Sequence, residues 1–98
     1  MIGYYFVLKR LSKGKALSQI LHASEKLTFN TTEERIKKIV YKISDQEVIE
    51  LVSFLSKNKI KFVLIKDAGK TQVLPGTITS LALSSREEIP FFSRYKLY

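Results

Sequence analysis

Strand-like and helical segments alternate along this chain, and the alternation constrains the fold more than any other feature. The strand-like runs are short, apolar and rich in β-branched and aromatic residues. They cover 3–8, 36–43, 60–65 and 77–83. Apolar residues at helical spacing predict helices over about 13–27 and from 45 to about 58. Strands separated by helices favour parallel pairing through crossovers, so the sequence predicts an α/β domain.

Both predicted helices have recognisable starts. Ser12 is placed to cap the first helix, because its hydroxyl can accept a hydrogen bond from the first turn. Ser44 and Glu47 have the spacing of a capping box before the second helix. The tail, 91–98, is aromatic and basic, and we expect it to pack back as an irregular cover.

Net charge and cysteine content limit the kinds of partner and site that this chain can have. The chain has 98 residues, which fits a single domain spanning 1–98. Its net charge of +8 is typical of a small domain that meets nucleic acid or a membrane surface, although excess lysine can also serve solubility alone. Without cysteine there is no disulfide, thiolate nucleophile or cysteine-bound zinc, which fits a reducing, cytoplasmic compartment. With His22 as the single histidine, we expect neither a metal nor a cofactor. No apolar stretch approaches the length of a membrane helix.

Basic groups and a carboxylate should meet at one edge of the sheet. Lys13 and Lys15 follow the first strand, and Asp67 follows the third. The carboxyl ends of parallel strands lie at the same edge, where open α/β sheets bind their ligands. We therefore expect Lys15 and Asp67 to be neighbours in space.

The first helix has two chemically different sides. One side carries Leu17, Ile20, Leu21 and Ser24. The opposite side carries Lys15, Gln19, His22 and Lys26. His22 is therefore not expected to be buried for packing, and the polar stripe is a solvated face unless other groups converge on it.

The segment 65–79 is a polar loop between two apolar runs, a place where binding groups often collect. Its tripeptide Gly69-Lys70-Thr71 has the sequence that ends a phosphate-binding P-loop. That motif needs a glycine where this chain has Leu64, and it needs a helix to follow. Because residues 73–76 read VLPG, which is not a helix start, we exclude nucleoside triphosphate binding at this loop.

Two segments resemble one known family. Residues 13–23 read KGKALSQILHA and are similar to a helix signature with Lys-Gly-Lys, Gln and Ala-His-Ala. Residues 67–79 read DAGKTQVLPGTIT and are similar to a loop with Asp-Ala-Gly-Arg/Lys-Thr-Gln followed by Pro-Gly-Thr-x-Thr. These signatures are those of the type 2 peptidyl-tRNA hydrolases of archaea and eukaryotes, and the resemblance covers nearly the whole chain. It departs at 28–35, where the family usually has a further helix.

The resemblance implies a three-layer α/β/α fold with a four-stranded mixed sheet whose last strand is antiparallel. It implies hydrolysis of the ester that joins a nascent peptide to the terminal ribose of tRNA. The family's catalytic lysine and aspartate fall on Lys15 and Asp67, and its two active-site threonines fall on Thr71 and Thr79.

Ester hydrolysis requires a positioned water, a stabilised oxyanion and a held polyanionic leaving group. We expect Asp67 to orient or partly deprotonate the water, with Lys15 favouring its charged form. Lys15 could equally stabilise the oxyanion or contact the terminal phosphate, and the sequence leaves these roles open. Thr71 and Thr79 offer hydroxyls to the carbonyl or the ribose, although Thr79 could instead face the core.

Gln19 and His22 also match the family's helix. Gln19 is assigned to substrate binding, and His22 is the residue type most often used as a general acid or base. A covalent mechanism that uses Ser18 or Ser24 with His22 is an alternative, but neither serine lies at a nucleophile elbow.

Basic residues around the rim are predicted to contact phosphates, which supplies affinity without sequence specificity. They are Lys9, Arg10, Lys13, Lys66 and Lys70. Two other functions stay open: a non-catalytic tRNA-binding, RNA-binding or adaptor module on the same fold, and a charged domain with an unrelated protein partner. A homodimer also stays open, because a second subunit could supply what the shortened segment lacks.

Overall fold

The chain folds into strands and helices whose limits follow the sequence signals closely. The computed structural model describes residues 1–27, 36–67 and 76–98. In chain order its elements are β1 (Ile2–Leu8), α1 (Lys13–Lys26), β2 (Lys37–Ile43), α2 (Asp45–Lys57), β3 (Val63–Lys66), β4 (Ile78–Ser85), a 3₁₀ helix (Pro90–Arg94) and β5 (Lys96–Leu97). The Ser12 hydroxyl accepts from the Lys15 backbone N–H, and Ser44 and Glu47 form both bonds of a capping box, so both predicted helix starts are confirmed.

The described residues form one mixed sheet with the strand order β3-β4-β1-β2-β5. β1 and β2 pair in parallel, whereas β4 pairs antiparallel with both β1 and β3. The first three strands therefore run in one direction, and the predicted α/β class and the antiparallel fourth strand are confirmed.

The predicted number of four strands is wrong, because a fifth strand pairs antiparallel with β2. It comprises only Lys96 and Leu97, both exposed, and the Tyr98 N–H continues the pairing with a 2.9 Å bond to the Val40 carbonyl. The expected irregular tail is thus a 3₁₀ helix and a short strand. Two exposed residues carry no hydrophobic periodicity, which is why the pattern did not show this strand.

An aromatic core fills the face of the sheet that α2 covers. Phe6 of β1 stacks on Tyr41 of β2 with ring centroids 5.0 Å apart, and Phe92 of the 3₁₀ helix meets Phe6 edge to face at the same distance. Leu51 and Leu55 of α2 are fully buried in this cluster. The tail does pack back, and its aromatic residues complete the core.

Helix α1 packs on β1 and β4 through a different side from the apolar side of the sequence pattern. Its buried residues are Ala16, Gln19 and Ala23. Leu17 and Leu21 are 57% and 64% exposed. The two small alanines let α1 approach Tyr5 and Val7 of β1 closely. Among the described helices, none is long and apolar enough to cross a membrane.

Candidate active site

Lys15 and Asp67 meet at the edge of the sheet where β1 and β3 end. The Lys15 Nζ lies 2.9 Å from the Asp67 Oδ1. The Asp67 side chain is 3% exposed and the Lys15 side chain 19%, so the lysine is the more accessible member of the pair. The expected proximity of these two side chains is confirmed.

Each partner is held by its own element. Lys15 occupies the first turn of α1, which Ser12 caps. Asp67 directly follows β3, which places its carboxylate at the carboxyl end of a strand. Because α1 packs against β1 and β4, its first turn lies beside the end of β3, and the Lys15 ammonium contacts the Asp67 carboxylate. A charge-assisted contact of this length is strong when water is largely excluded from it.

The backbone of Asp67 forms two hydrogen bonds with Gly76 and Thr77, where the described chain resumes. Its N–H donates to the Thr77 carbonyl at 2.9 Å, and its carbonyl accepts from the Gly76 N–H at 3.0 Å. Gly76 has a φ of +83°, a left-handed conformation that a side chain disfavours. These two hydrogen bonds fix the backbone position of Asp67 and therefore the position of its carboxylate.

A buried polar layer lies beneath the ion pair. The Thr79 hydroxyl donates to the Gln19 Oε1 at 2.6 Å and also lies 3.2 Å from the Ile65 carbonyl. The Ser80 hydroxyl donates to the Gln19 backbone carbonyl at 2.8 Å. Gln19, Thr79 and Ser80 are all buried, so these bonds tie α1 to β4 one turn beyond Lys15. Thr79 therefore faces the interior, and its hydroxyl orients Gln19.

Four of the predicted phosphate-binding residues, Lys9, Arg10, Lys13 and Lys66, are among the described residues and follow or end the strands at this edge. Lys9, Lys13 and Lys66 are exposed. Arg10 forms two bonds to the Asp45 carboxylate, of 2.8 and 2.9 Å, so it links the β1–α1 turn to the first turn of α2. The hydrogen bond from Arg10 lowers the pKa of the Asp45 carboxyl and raises the pKa of the guanidinium. Arg10 thus has a structural partner, which the other basic residues of this group do not show in the described part of the chain.

His22 is exposed on α1, as expected, but it lies away from the ion pair. It is seven residues after Lys15, which is about 10 Å along a helix axis. This separation argues against direct proton transfer at the Lys15–Asp67 contact. Ser18 and Ser24 are half-buried, and within the described residues no hydrogen bond joins either serine to His22.

Two predicted site residues, Thr71 and Lys70, lie outside the described residues. Within the described ranges, no group of three or more His, Cys, Asp and Glu side chains is placed to hold a metal ion. The catalytic and binding roles of all these residues stay predictions.

Sequence reasoning missed two partners of the site. Ser80 follows Thr79 in a strand and appears as one more small polar residue, so no signal in the sequence marks its bond to α1. Asp45 lies in the first turn of α2, where the positive end of the helix dipole is by itself a sufficient reason for an acidic residue. Its partner Arg10 could have been found from the same strand-end reasoning, because β1 and β2 end at the same edge.

Comparison with known proteins gives one consistent result. The model of the family "Peptidyl-tRNA hydrolase PTH2" matches residues 6–97. A protein of Nanoarchaeum equitans named peptidyl-tRNA hydrolase is 34% identical over 90% of this chain and 89% of its own length. Proteins of the same name from Thermococcus sibiricus and Methanopyrus kandleri are 36% and 32% identical over 81% of this chain, covering 77% and 78% of their own lengths.

Proposed function

Because the chain belongs to the peptidyl-tRNA hydrolase PTH2 family, we propose that it hydrolyses the ester between a peptide and the terminal ribose of tRNA. The observation that carries the proposal is the contact of 2.9 Å between the Lys15 ammonium and the Asp67 carboxylate at the carboxyl edge of the sheet. The proposed enzyme is a single domain on a three-layer α/β/α arrangement, and it acts in the cytoplasm.

The proposed reaction needs one water and no covalent intermediate. Asp67 orients the water and accepts a share of its proton as the oxygen attacks the ester carbonyl. The carbonyl oxygen gains negative charge, which the half-buried Lys15 ammonium is placed to stabilise. The bond to the ribose oxygen then breaks, and that oxygen takes a proton. The products are a peptide carboxylate and a tRNA with a free hydroxyl.

Lys15 can contribute in a second way, by contacting the terminal phosphate of the tRNA. Gln19 and Thr79 support either role from below, because their bond fixes the turn of α1 that follows Lys15. The separation of His22 from this contact makes a positioning or binding role better supported than proton transfer. Thr71 keeps its proposed hydroxyl contact to the substrate, and Lys70 keeps its proposed contact to phosphate.

A homodimer is a further part of the proposal. Leu17 and Leu21, which are both exposed on α1, support it because a second copy would remove their apolar surface from water. Sedimentation analysis of the parent and of Leu21→Gln tests this part separately. A parent that sediments as a monomer at micromolar concentration would contradict it.

Release of the acyl group from N-acetyl-aminoacyl-tRNA tests the activity. We expect turnover by the parent, turnover within twofold of the parent for Lys57→Gln, and a large loss for Asp67→Asn. Lys57 is exposed at the end of α2, so this control removes one positive charge without touching the site. Full turnover by Asp67→Asn would remove the catalytic assignment, and a folded parent without turnover would favour the non-catalytic tRNA-binding module.

A further inference from the structure

Strand β3 lies at one edge of the described sheet, and a basic groove follows it. The groove consists of two adjoining hollows with volumes of about 740 and 500 Å³. Both hollows share Lys26, Phe62 and Val63. Lys61 lies at the end remote from the ion pair, and Lys66 lies at the other end, directly before Asp67. The groove therefore leads along β3 to the carboxylate.

We infer that this groove binds the terminal RNA strand of the tRNA and guides it to the Lys15–Asp67 contact. The inference rests on the proposed function, since it names the part of the substrate that lies along β3. The occupant is a single RNA strand, recognised by its phosphates and by one stacked base.

The charge of the groove fits phosphates. Lys26, Lys61 and Lys66 are all exposed, and no acidic side chain is found among the described residues that line the two hollows. Lys66 ends β3, Lys61 precedes it and Lys26 comes from α1, so three lysines from two elements border one groove. Lysine contacts to phosphates supply affinity without reading sequence. From Lys61 to Asp67 the chain spans about 20 Å if extended, which corresponds to about six nucleotides of a stacked strand.

Phe62 adds an aromatic surface to the charged one. Its side chain packs partly against the main core and also borders both hollows. Single-stranded nucleic acids bind where a basic track is combined with aromatic side chains on which bases stack. A half-buried ring is well suited to this role, because the core already fixes its orientation.

The same edge is poorly suited to an extended peptide. A peptide would bind an edge strand through its free backbone groups. The Lys26 Nζ already donates to the Leu64 carbonyl at 3.1 Å, which occupies an acceptor of β3. Covering an edge strand and placing charged side chains on it are common protections against strand addition, and Lys66 of β3 supplies such a charge. Lys26 therefore disfavours a peptide while adding a positive charge.

Binding of RNA that carries no ester tests the groove independently of hydrolysis. The probes are a short fluorescein-labelled RNA with the sequence of a tRNA 3′ end and an intact deacylated tRNA, followed by fluorescence anisotropy over a range of salt. The variants are Lys61→Gln and Phe62→Leu, with folding checked by circular dichroism. The matched control is Lys96→Gln, which removes one exposed lysine at the opposite edge of the sheet.

We expect Lys61→Gln to weaken binding several-fold and to reduce the slope of log affinity against log salt by about 0.7. We expect Phe62→Leu to weaken binding by about 5- to 150-fold, the loss of one stacked base. Lys96→Gln should keep the parent slope. Because Lys61 is exposed, its variant stays informative if Phe62→Leu folds poorly.

Two results would overturn the inference. One is equal weakening by Lys61→Gln and Lys96→Gln with the same salt slope, which indicates a general charge effect. The other is unchanged RNA affinity of Lys61→Gln together with a KM that rises only for substrates with long peptides, which assigns the groove to the peptide. In either case hydrolysis by the parent would still stand, whereas a failure of the proposed function would appear as absent turnover by the parent.

Discussion

Replacing Lys15 and Asp67 singly and together measures whether the two side chains act as one unit. Lys15→Met keeps most of the apolar stem and removes the ammonium. Asp67→Asn keeps the shape and removes the negative charge. The Lys15 Nζ and the Asp67 Oδ1 lie 2.9 Å apart, so each substitution directly changes the surroundings of the other side chain.

The loss of kcat expected for each single variant follows from the proposed role of the residue that it replaces. Loss of a positioned general base lowers kcat by about 10²- to 10⁴-fold, and loss of one preorganised charge by about 10²- to 10³-fold. At about 1.4 kcal/mol for each factor of ten, these losses are about 2.7 to 5.4 and about 2.7 to 4 kcal/mol. Two independent residues would show the sum in the double variant. A pair that positions one water together should show about the loss of the more damaging single variant, which leaves a coupling energy of at least about 2.7 kcal/mol.

Stability must be measured beside activity, because the same contact supports the fold. Lys15→Met leaves a carboxylate that is 3% exposed without its ammonium. Breaking a buried ion pair costs about 3 to 5 kcal/mol, and the partial exposure of Lys15 places this variant near the lower value. For a domain of this size, that corresponds to a fall in Tm of about 12 to 24 °C. The double variant should recover part of this loss, because the buried carboxylate is then absent.

The assay is single-turnover release of the acyl group from N-acetyl-aminoacyl-tRNA, well below the Tm of the weakest variant. Lys57→Gln serves as the charge control, and circular dichroism serves as the folding control. Losses in the double variant that equal the product of the single losses would refute a shared role for the two side chains. A loss of less than tenfold in Asp67→Asn would refute the role of the carboxylate altogether.

Three further substitutions test the parts that hold the site. Thr79→Val should lower the free energy of unfolding by about 1 to 3 kcal/mol, because the buried Gln19 Oε1 loses its hydrogen-bond donor. It should also lower kcat, because Gln19 lies one turn of α1 beyond Lys15. Asp45→Asn should lower the Tm at pH 7, because it removes the charged partner of Arg10. The hydrogen bond from Arg10 lowers the folded-state pKa of Asp45 below its ordinary value, so the difference in Tm should shrink as the pH falls through the folded-state pKa. Gly76→Ala should lower the free energy of unfolding by about 1 to 2 kcal/mol, because a φ of +83° disfavours a Cβ. It should also lower kcat, because the Gly76 N–H is bonded to the Asp67 carbonyl and helps to position the carboxylate.

Thermal melts and the same hydrolysis assay are applied to all three, and two of them have a matched control variant. Thr79→Ser keeps the donor and should retain more activity than the valine variant. Gly14→Ala lies in α1 with nothing within 4 Å of the added Cβ, so its Tm should equal or exceed that of the parent. An Asp45→Asn variant whose Tm deficit does not shrink as the pH is lowered would contradict the ion-pair explanation.

The position of the site could be predicted from the order of the elements. Strand β1 ends before Lys15 and strand β3 ends at Asp67, and both strands run in the same direction. Topology alone then brings the two residues to one edge of the sheet. Capping was equally predictable, because the bonds of Ser12 and Ser44 are local and depend on only three or four residues.

The buried side of α1 could not be read from its apolar residues. Periodicity identifies a stripe on a helix, but the neighbouring strands decide which stripe is buried. Here β4 offers the hydroxyls of Thr79 and Ser80, which satisfy the side chain and backbone of Gln19 in the interior. A buried glutamine with its partners in place is acceptable, and nothing in the helix sequence reveals those partners.

The ion pair itself explains why leucines of α1 face solvent. Successive residues of a helix are about 100° apart, so Gln19 lies about 40° round from Lys15, and Leu17 and Leu21 lie on the far side at about 200° and 240°. A rotation of α1 that buried the two leucines would carry Lys15 away from Asp67 and expose Gln19. The polar contacts of α1 with Asp67 and β4 therefore set the orientation of the helix, and they leave its two leucines, Leu17 and Leu21, exposed to solvent. The exposed leucines follow from the position that the site requires of Lys15.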